Sequence, residues 1–333
     1  MFRAKRIDPY ESIKKQIHDL KLPDGIHRNW NEIDDISDET FLSDAGSFGK
    51  ISNVTIHGKD YIMKEMFYKN IIEEELTDEV LNEIVHQSVV SKGRYICPLR
   101  GVIVGEKAVM MIMDHCGKGY DTYLRKSPPL ETIFKHFGQL CEAIQYLHER
   151  HIVHLDIKPD NVMVSADGNL RLIDFGQSMF KERIVHKSVG TLDYQAPEVL
   201  HNDAHIYKVS TAVDMWELGA TLYEMVTGEK PFGIGRLAEI EERIRNADWD
   251  KSLLKSRSEH AFVICSHLLV KNPPKRWSVR RVLNYLYVNR LYGQETTAHH
   301  SSKRSHRDSS VNKSLQLSVS RKSQPLRRRN SSV

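Results

Sequence analysis

The stretch His154-Leu155-Asp156-Ile157-Lys158-Pro159-Asp160-Asn161, followed by Ile173-Asp174-Phe175-Gly176, constrains this chain more than any other feature. It places two carboxylates, a lysine and an asparagine around one point. Such a set suits a reaction that holds a divalent metal, neutralises phosphate and accepts a proton from a hydroxyl. Carboxylate and amide oxygens are hard donors of the kind Mg2+ prefers. A positioned carboxylate is a competent general base.

The chain around these loops changes texture twice. Up to about residue 38 it is polar and charged, and periodic structure is expected to begin near Phe41. Ile51 to Ile56 reads as a strand, His57 to Asp60 as a turn and Tyr61 to Glu65 as a second strand. Thr77 or Asp78 could cap a helix running through Val80, Ile84 and Val85. Val102 to Val104 and Ala108 to Met113 read as two further strands. After Cys116-Gly117-Lys118-Gly119 the pattern becomes helical. Phe134, Phe137, Leu140, Cys141, Ile144 and Leu147 recur at helical spacing and mark one face of a helix that ends before His151. Asp214 to Val226 and Ala261 to Val270 are also helix-like.

From Gly293 onward the sequence is rich in Ser, His, Arg and Lys, with too few apolar residues to offset the entropy of ordering, so a disordered tail is expected over 293–333. Residues 295–333 hold nine basic and two acidic side chains, a net of +7, which leaves −3 for the remainder of a chain whose total is +4. The basic character therefore lives in the tail and gives little support to a nucleic-acid-binding fold. The longest apolar run is far shorter than the roughly 20 residues that cross a bilayer, and the basic N-terminus has no apolar segment behind it, so neither a membrane span nor a secretory signal is expected. Four widely spaced cysteines point to reduced thiols in the cytosol or nucleus.

Asp44-Ala45-Gly46-Ser47-Phe48-Gly49-Lys50-Ile51 lies between two expected strands. Its glycines would let backbone N–H groups approach phosphate oxygens, or would simply form a hairpin turn. Lys64 follows on a later strand among apolar neighbours, an unusual setting for a solvated charge.

Taken together these stretches resemble the eukaryotic protein kinases, and the chain is identified as a member of their Ser/Thr branch, with His-Leu-Asp in the catalytic loop. The resemblance runs over roughly residues 39–292. Gly190 to Glu198 is similar to the substrate-facing end of an activation segment, and Asp214-Met215-Trp216-Glu217-Leu218-Gly219 to the buried helix that anchors the catalytic loop. Arg276 matches the arginine that pairs with the segment's glutamate, here Glu198. Polar loops after two strands are the plainer reading, but five specified positions at this separation argue against it.

The resemblance implies an α+β, two-lobed kinase fold. Residues 39–113 would form a small β-rich N-lobe with one main helix, 114–119 a hinge, and 120–292 a larger, mostly helical C-lobe, after an N-terminal extension over 1–38. It implies ATP and Mg2+. Asp156 would orient the attacking hydroxyl and accept its proton, Lys158 would neutralise the transferred phosphoryl group, and Asn161 and Asp174 would hold the metal. Lys64 would hold the α- and β-phosphates, paired with Glu83, or with Glu79 one turn earlier. Asp44 to Gly49 and Ile51 would cover the nucleotide. Met113 would stand at the back of the adenine pocket, with Asp114 and Cys116 in the hinge, Ile62 above the adenine and Met163 as floor. Lys158 and Thr191 mark the Ser/Thr branch, so protein serine and threonine hydroxyls are the expected acceptors.

Three departures qualify the match. Leu155 stands where an arginine often binds an activation-loop phosphate, and it cannot donate a hydrogen bond, so activity should not depend on that modification. Asp44 replaces a glycine and would repel a triphosphate unless it points away, and Ile62 replaces an alanine. The last two favour the competing reading, a pseudokinase scaffold, although every residue phosphoryl transfer needs is present. In the tail, Arg328-Arg329-Asn330-Ser331 resembles a site for basophilic kinases, Arg327-Arg328-Arg329 a nuclear-import signal, and Ser331-Ser332-Val333 a terminus for a peptide-binding domain. A solvated, phosphorylatable tail is the simpler alternative.

Overall fold

The structure is a computed structural model that describes residues 15, 17–20, 22–23, 26–28, 36–44, 49–67, 78–105, 108–185, 189–200 and 206–293. These residues form two compact units. The smaller is built on a six-stranded sheet of β1 (His27–Arg28), β2 (Ile36–Asp44), β3 (Gly49–Ile56), β4 (Lys59–Phe67), β5 (Leu99–Val104) and β6 (Ala108–Asp114), with helix α1 (Asp78–Val90) between β4 and β5. The strand order is β1-β5-β6-β4-β3-β2. Alternation in β3 turns Val54 and Ile56 inward, where they join Met63, Ile103, Met110 and Ile112 in one apolar cluster. The β3–β4 register sets Ile56 opposite Lys59. This leaves only His57 and Gly58 as the turn, two residues shorter than the sequence pattern suggests.

The sheet also begins earlier than expected. β2 starts at Ile36, and His27–Arg28 pair in parallel with Gly101–Val102 on the outer edge of β5. Part of the expected N-terminal extension thus belongs to the small unit. A two-residue strand has no alternation to read, and its partner lies over seventy positions away. Its physical role is to cover backbone donors and acceptors that an open edge would expose. Ile17, Leu20 and Leu22, ahead of it, are buried. Deleting residues 1–28 should therefore cost on the order of 5 kcal/mol, from three aliphatic side chains at about 1.5–3 kcal/mol each, and lower the melting temperature by roughly 10 °C. Calorimetry of the truncated protein checks this, and an unchanged midpoint would refute it.

The larger unit is mostly helical. Helix α2 (Leu130–His148) buries the face read from its periodicity, including Phe134, Phe137, Leu140, Cys141, Ile144 and Leu147. Helix α3 (Thr211–Thr227) is buried along nearly its whole length and packs against α2 and against the helices Lys251–Arg257 and Glu259–Leu268. The last of these stops two residues before the expected end. Short strands Val162–Val164 and Leu170–Leu172 form a hairpin that carries one functional loop on each side. The class is the expected α+β. No helix among the described residues is long and apolar enough to cross a membrane.

Candidate active site

The expected site residues fall into two sets, one in each unit. In the small unit, Lys64 lies on β4, opposite Ile51 in register, and is 9% exposed. Its ammonium donates to Glu83 Oε1 at 2.5 Å, from the buried face of α1. At this depth the attraction of two opposite charges offsets part of the cost of taking both out of water. Lys64 thus pairs with Glu83, the first of the two expected partners, and the side chain of Glu79 lies outside the described residues. Ile62 is half-buried opposite Asn53, and Met113 is half-buried opposite Leu99. Asp44 ends β2 opposite Lys50, and Ala45, Gly46, Ser47 and Phe48 lie outside the described residues. Gly49 has a reason that its motif did not reveal. A β-carbon there would overlap the carbonyl oxygen of Glu65 on the neighbouring strand, so the position needs glycine for β3–β4 packing alone.

In the larger unit, His154 to Asn161 follow the short strand Ile152–Val153 and end in a single 3-10 turn, Pro159–Asn161, whose first position is the proline. Asp156 is 8% exposed and uses both carboxylate oxygens. Oδ1 accepts from the Thr191 N–H at 2.9 Å and the Thr191 hydroxyl at 2.8 Å. Oδ2 accepts from Lys158 at 2.8 Å and from Asn161 Nδ2 at 2.9 Å. Lys158 also donates to the Thr191 hydroxyl at 2.6 Å. A hydroxyl is therefore held between a carboxylate and an ammonium, and the carboxylate lies within the hydrogen-bond reach that a general base needs.

Asn161 Nδ2 is committed twice, to the carbonyl and the carboxylate of Asp156, which leaves its Oδ1 as the amide atom available to a cation. Asp174 is exposed, with Oδ1 accepting from the Gly176 N–H at 3.1 Å. The two loops are tied by the Ile173 N–H to the Asn161 carbonyl at 3.0 Å and by His154 Nε2 with the Ile173 carbonyl at 3.3 Å. An amide and a carboxylate carried on tied loops fit Mg2+ by donor type.

This loop is held from below by α3. Asp214, in its first turn and wholly buried, accepts from the N–H groups of His154 and Leu155 and from His148 Nε2. Glu217 accepts the Ile157 N–H at 2.8 Å, and Thr221 donates to the Ile157 carbonyl at 3.1 Å. Burial first, and then the neighbouring Asp214 carboxylate, push the Glu217 carboxyl well above its usual range. Glu217 lies in the stretch read as the anchoring helix, without a partner assigned to it, and Thr221 escaped the sequence reading. Their signal was polar residues spaced three and four apart on an otherwise apolar helix.

The α3 bonds restrain a strained backbone. Leu155 has φ 66° and Asp174 φ 59°, in the left-handed region that L-residues avoid, at a cost of about 1–3 kcal/mol each. Gly190, with φ 81°, passes so close that a β-carbon would sit 2.5 Å from the Leu155 carbonyl oxygen. The Leu155 side chain is fully buried, so at this position nothing reaches out to bind a phosphate. Of the hydroxyls in the segment, Ser178 is buried and donates to the Phe175 carbonyl, Thr191 is engaged as described, and Ser188 lies outside the described residues. Further along, Arg276 grips Glu198 through both guanidinium nitrogens at 2.6 and 2.7 Å, and also bonds the carbonyls of Val270 and Ala212. Removing Glu198 would strand a buried guanidinium.

Of the remaining expected residues, Met163 is half-buried opposite Gly119 and Arg171. Asp114 donates its N–H to the Pro98 carbonyl, and its own carbonyl lies 3.4 Å from the sulfurs of both Cys116 and Cys97.

A family model described as a protein kinase domain matches residues 45–288. The chain is 30% identical over 251 residues to an Aurora kinase of Schizosaccharomyces pombe, covering 73% of this chain and 68% of that one. It is 27% identical over 249 residues to the serine/threonine-protein kinase Aurora-2 of Arabidopsis thaliana, covering 73% and 86%. With a probable serine/threonine-protein kinase nek2 of Dictyostelium discoideum the identity is 29% over 263 residues. The chain spans 60% of the length of that relative and of an Aurora kinase of Debaryomyces hansenii.

Proposed function

Because the chain belongs to the protein kinase family, with a domain of the serine/threonine class, we propose that it transfers the γ-phosphoryl group of ATP to serine and threonine hydroxyls of protein substrates. The observation that carries this is the bonding of Asp156 with Lys158, Asn161 and the Thr191 hydroxyl. Asp156 aligns the substrate hydroxyl and takes its proton as the new O–P bond forms. Lys158 keeps positive charge beside the oxygen that attacks. Lys64, held by Glu83, binds the α- and β-phosphates, and Ile51, Ile62, Met113 and Met163 contribute apolar surface for the base. When bound, Mg2+ neutralises charge on the phosphates, and Asp174 and Asn161 are the residues that would hold it. The mildly acidic globular part and reduced thiols fit action in the cytoplasm or nucleus, with the basic tail as a target for phosphorylation.

The test is phosphate transfer from labelled ATP to a generic basic protein, with Asp174→Asn alongside. Equal signal from both proteins would remove the enzymatic reading. Lys64→Met should raise the KM for ATP about 10- to 100-fold, the worth of one charge-assisted contact, and an unchanged KM would separate Lys64 from the nucleotide.

A further inference from the structure

We propose that Cys97 and Cys116 are a modification site, a dithiol that peroxide converts reversibly to a disulfide. All four cysteines are reduced. Cys141 and Cys265 are wholly buried in the helical part, and burial pushes both thiols up, away from the reactive thiolate. Cys97 and Cys116 differ in keeping slight exposure, 3% and 6%, and in lying side by side. Each sulfur is 3.4 Å from one shared acceptor, the Asp114 carbonyl oxygen. The two sulfurs therefore cannot be farther apart than the sum of those distances.

The neighbouring backbone pairing supports their proximity. Leu99 pairs with Met113 in register, and the Asp114 N–H bonds the Pro98 carbonyl. Continued by one step, that antiparallel pairing would set residue 97 alongside residue 115, next to Cys116. A disulfide needs Cα atoms within about 7 Å. In the proposal, both side chains turn off the shared carbonyl for the sulfurs to meet.

The place gives the bond its consequence. The chain leaves the larger unit after Pro98 and returns to it at Asp114. A Cys97–Cys116 bond would tie those two passages covalently and take both S–H donors from the Asp114 carbonyl. Resting on the kinase reading, in which Asp114 and Cys116 line the adenine pocket, the oxidised form should bind ATP less tightly.

The chemistry balances with hydrogen peroxide as oxidant, a molecule small enough for so little exposure. The Cys116 thiolate attacks one peroxide oxygen, the O–O bond breaks, and sulfenic acid and hydroxide form. The Cys97 thiol attacks the sulfenic sulfur, the S–S bond forms and water leaves. Overall, two thiols and one peroxide give one disulfide and two waters. An added dithiol reverses the bond by exchange.

The test treats the full-length protein with hydrogen peroxide, blocks remaining thiols with N-ethylmaleimide, and maps peptides by mass spectrometry without reduction. The expected result is a Cys97 peptide joined to a Cys116 peptide, the intact mass lower by two hydrogens, and a severalfold rise in the KM for ATP that dithiothreitol reverses. Cys97→Ser, or Cys97→Ala if the serine variant melts early, should give no linked peptide and a KM that peroxide does not move. Alkylation of both residues after peroxide, or sulfinic acid on either without linkage, overturns the proposal. Linkage with an unmoved KM overturns its effect on ATP. Peptide mapping reads the bond whether or not the chain transfers phosphate, so failure of the kinase reading and failure of the disulfide are told apart.

Discussion

Asp156→Asn is expected to lower the turnover number by about two to four orders of magnitude, the usual contribution of a positioned general base. The amide cannot take up the proton. It also replaces one acceptor oxygen with an N–H donor in a place where four donors converge, from Thr191, Lys158 and Asn161. Either the Thr191 pair or the Lys158–Asn161 pair must give way. Turnover should therefore fall much more than ATP binding does, because Lys64 and Glu83 lie on other elements. Steady-state kinetics with ATP varied, beside a thermal melt, read the two effects apart. A variant that turns over within tenfold of the parent would take the base role from Asp156.

Asp214→Ala is expected to cause a large loss of stability from a single side chain. The carboxylate takes the His154 and Leu155 N–H groups and His148 Nε2, and it has no solvent exposure. A buried donor left without an acceptor costs about 1–3 kcal/mol, so losing the group should cost on the order of 3–5 kcal/mol. That corresponds to a fall in melting temperature of roughly 10 °C. With Leu155 released from its left-handed conformation, the loop beyond it should lose definition. Turnover should thus drop even well below the new melting temperature. Asp214→Asn, which keeps one acceptor oxygen, should fall between the two. Lower stability with normal turnover in the folded enzyme would make Asp214 a scaffold residue only.

Much of this was legible in the chain because the signals are local. Alternation over Ile51 to Ile56 and helical spacing from Phe134 to Leu147 fix those elements through the periods of strand and helix. The order of the catalytic-loop, metal-loop and activation-segment motifs carried the resemblance, and with it the family. Other features depend on partners far away in sequence. Nothing near His27–Arg28 tells that they pair with β5. Nothing near Gly49 tells that the Glu65 carbonyl leaves no room for a side chain. Thr221 looks like a stray polar residue in an apolar helix, and Glu217 has no stated partner, until Ile157 is seen above them.

By itself the sequence determined the α+β class, the family and the residue types that can pass a phosphoryl group to a hydroxyl, because these rest on short-range patterns and on chemistry fixed by side-chain identity. Only the tertiary structure decided which glutamate neutralises Lys64, what α3 does for a strained Leu155, and that two of four cysteines share one carbonyl. Those outcomes depend on which distant groups packing brings together. Burial then makes the pairing matter, since a charge or donor removed from water must find its partner within the protein.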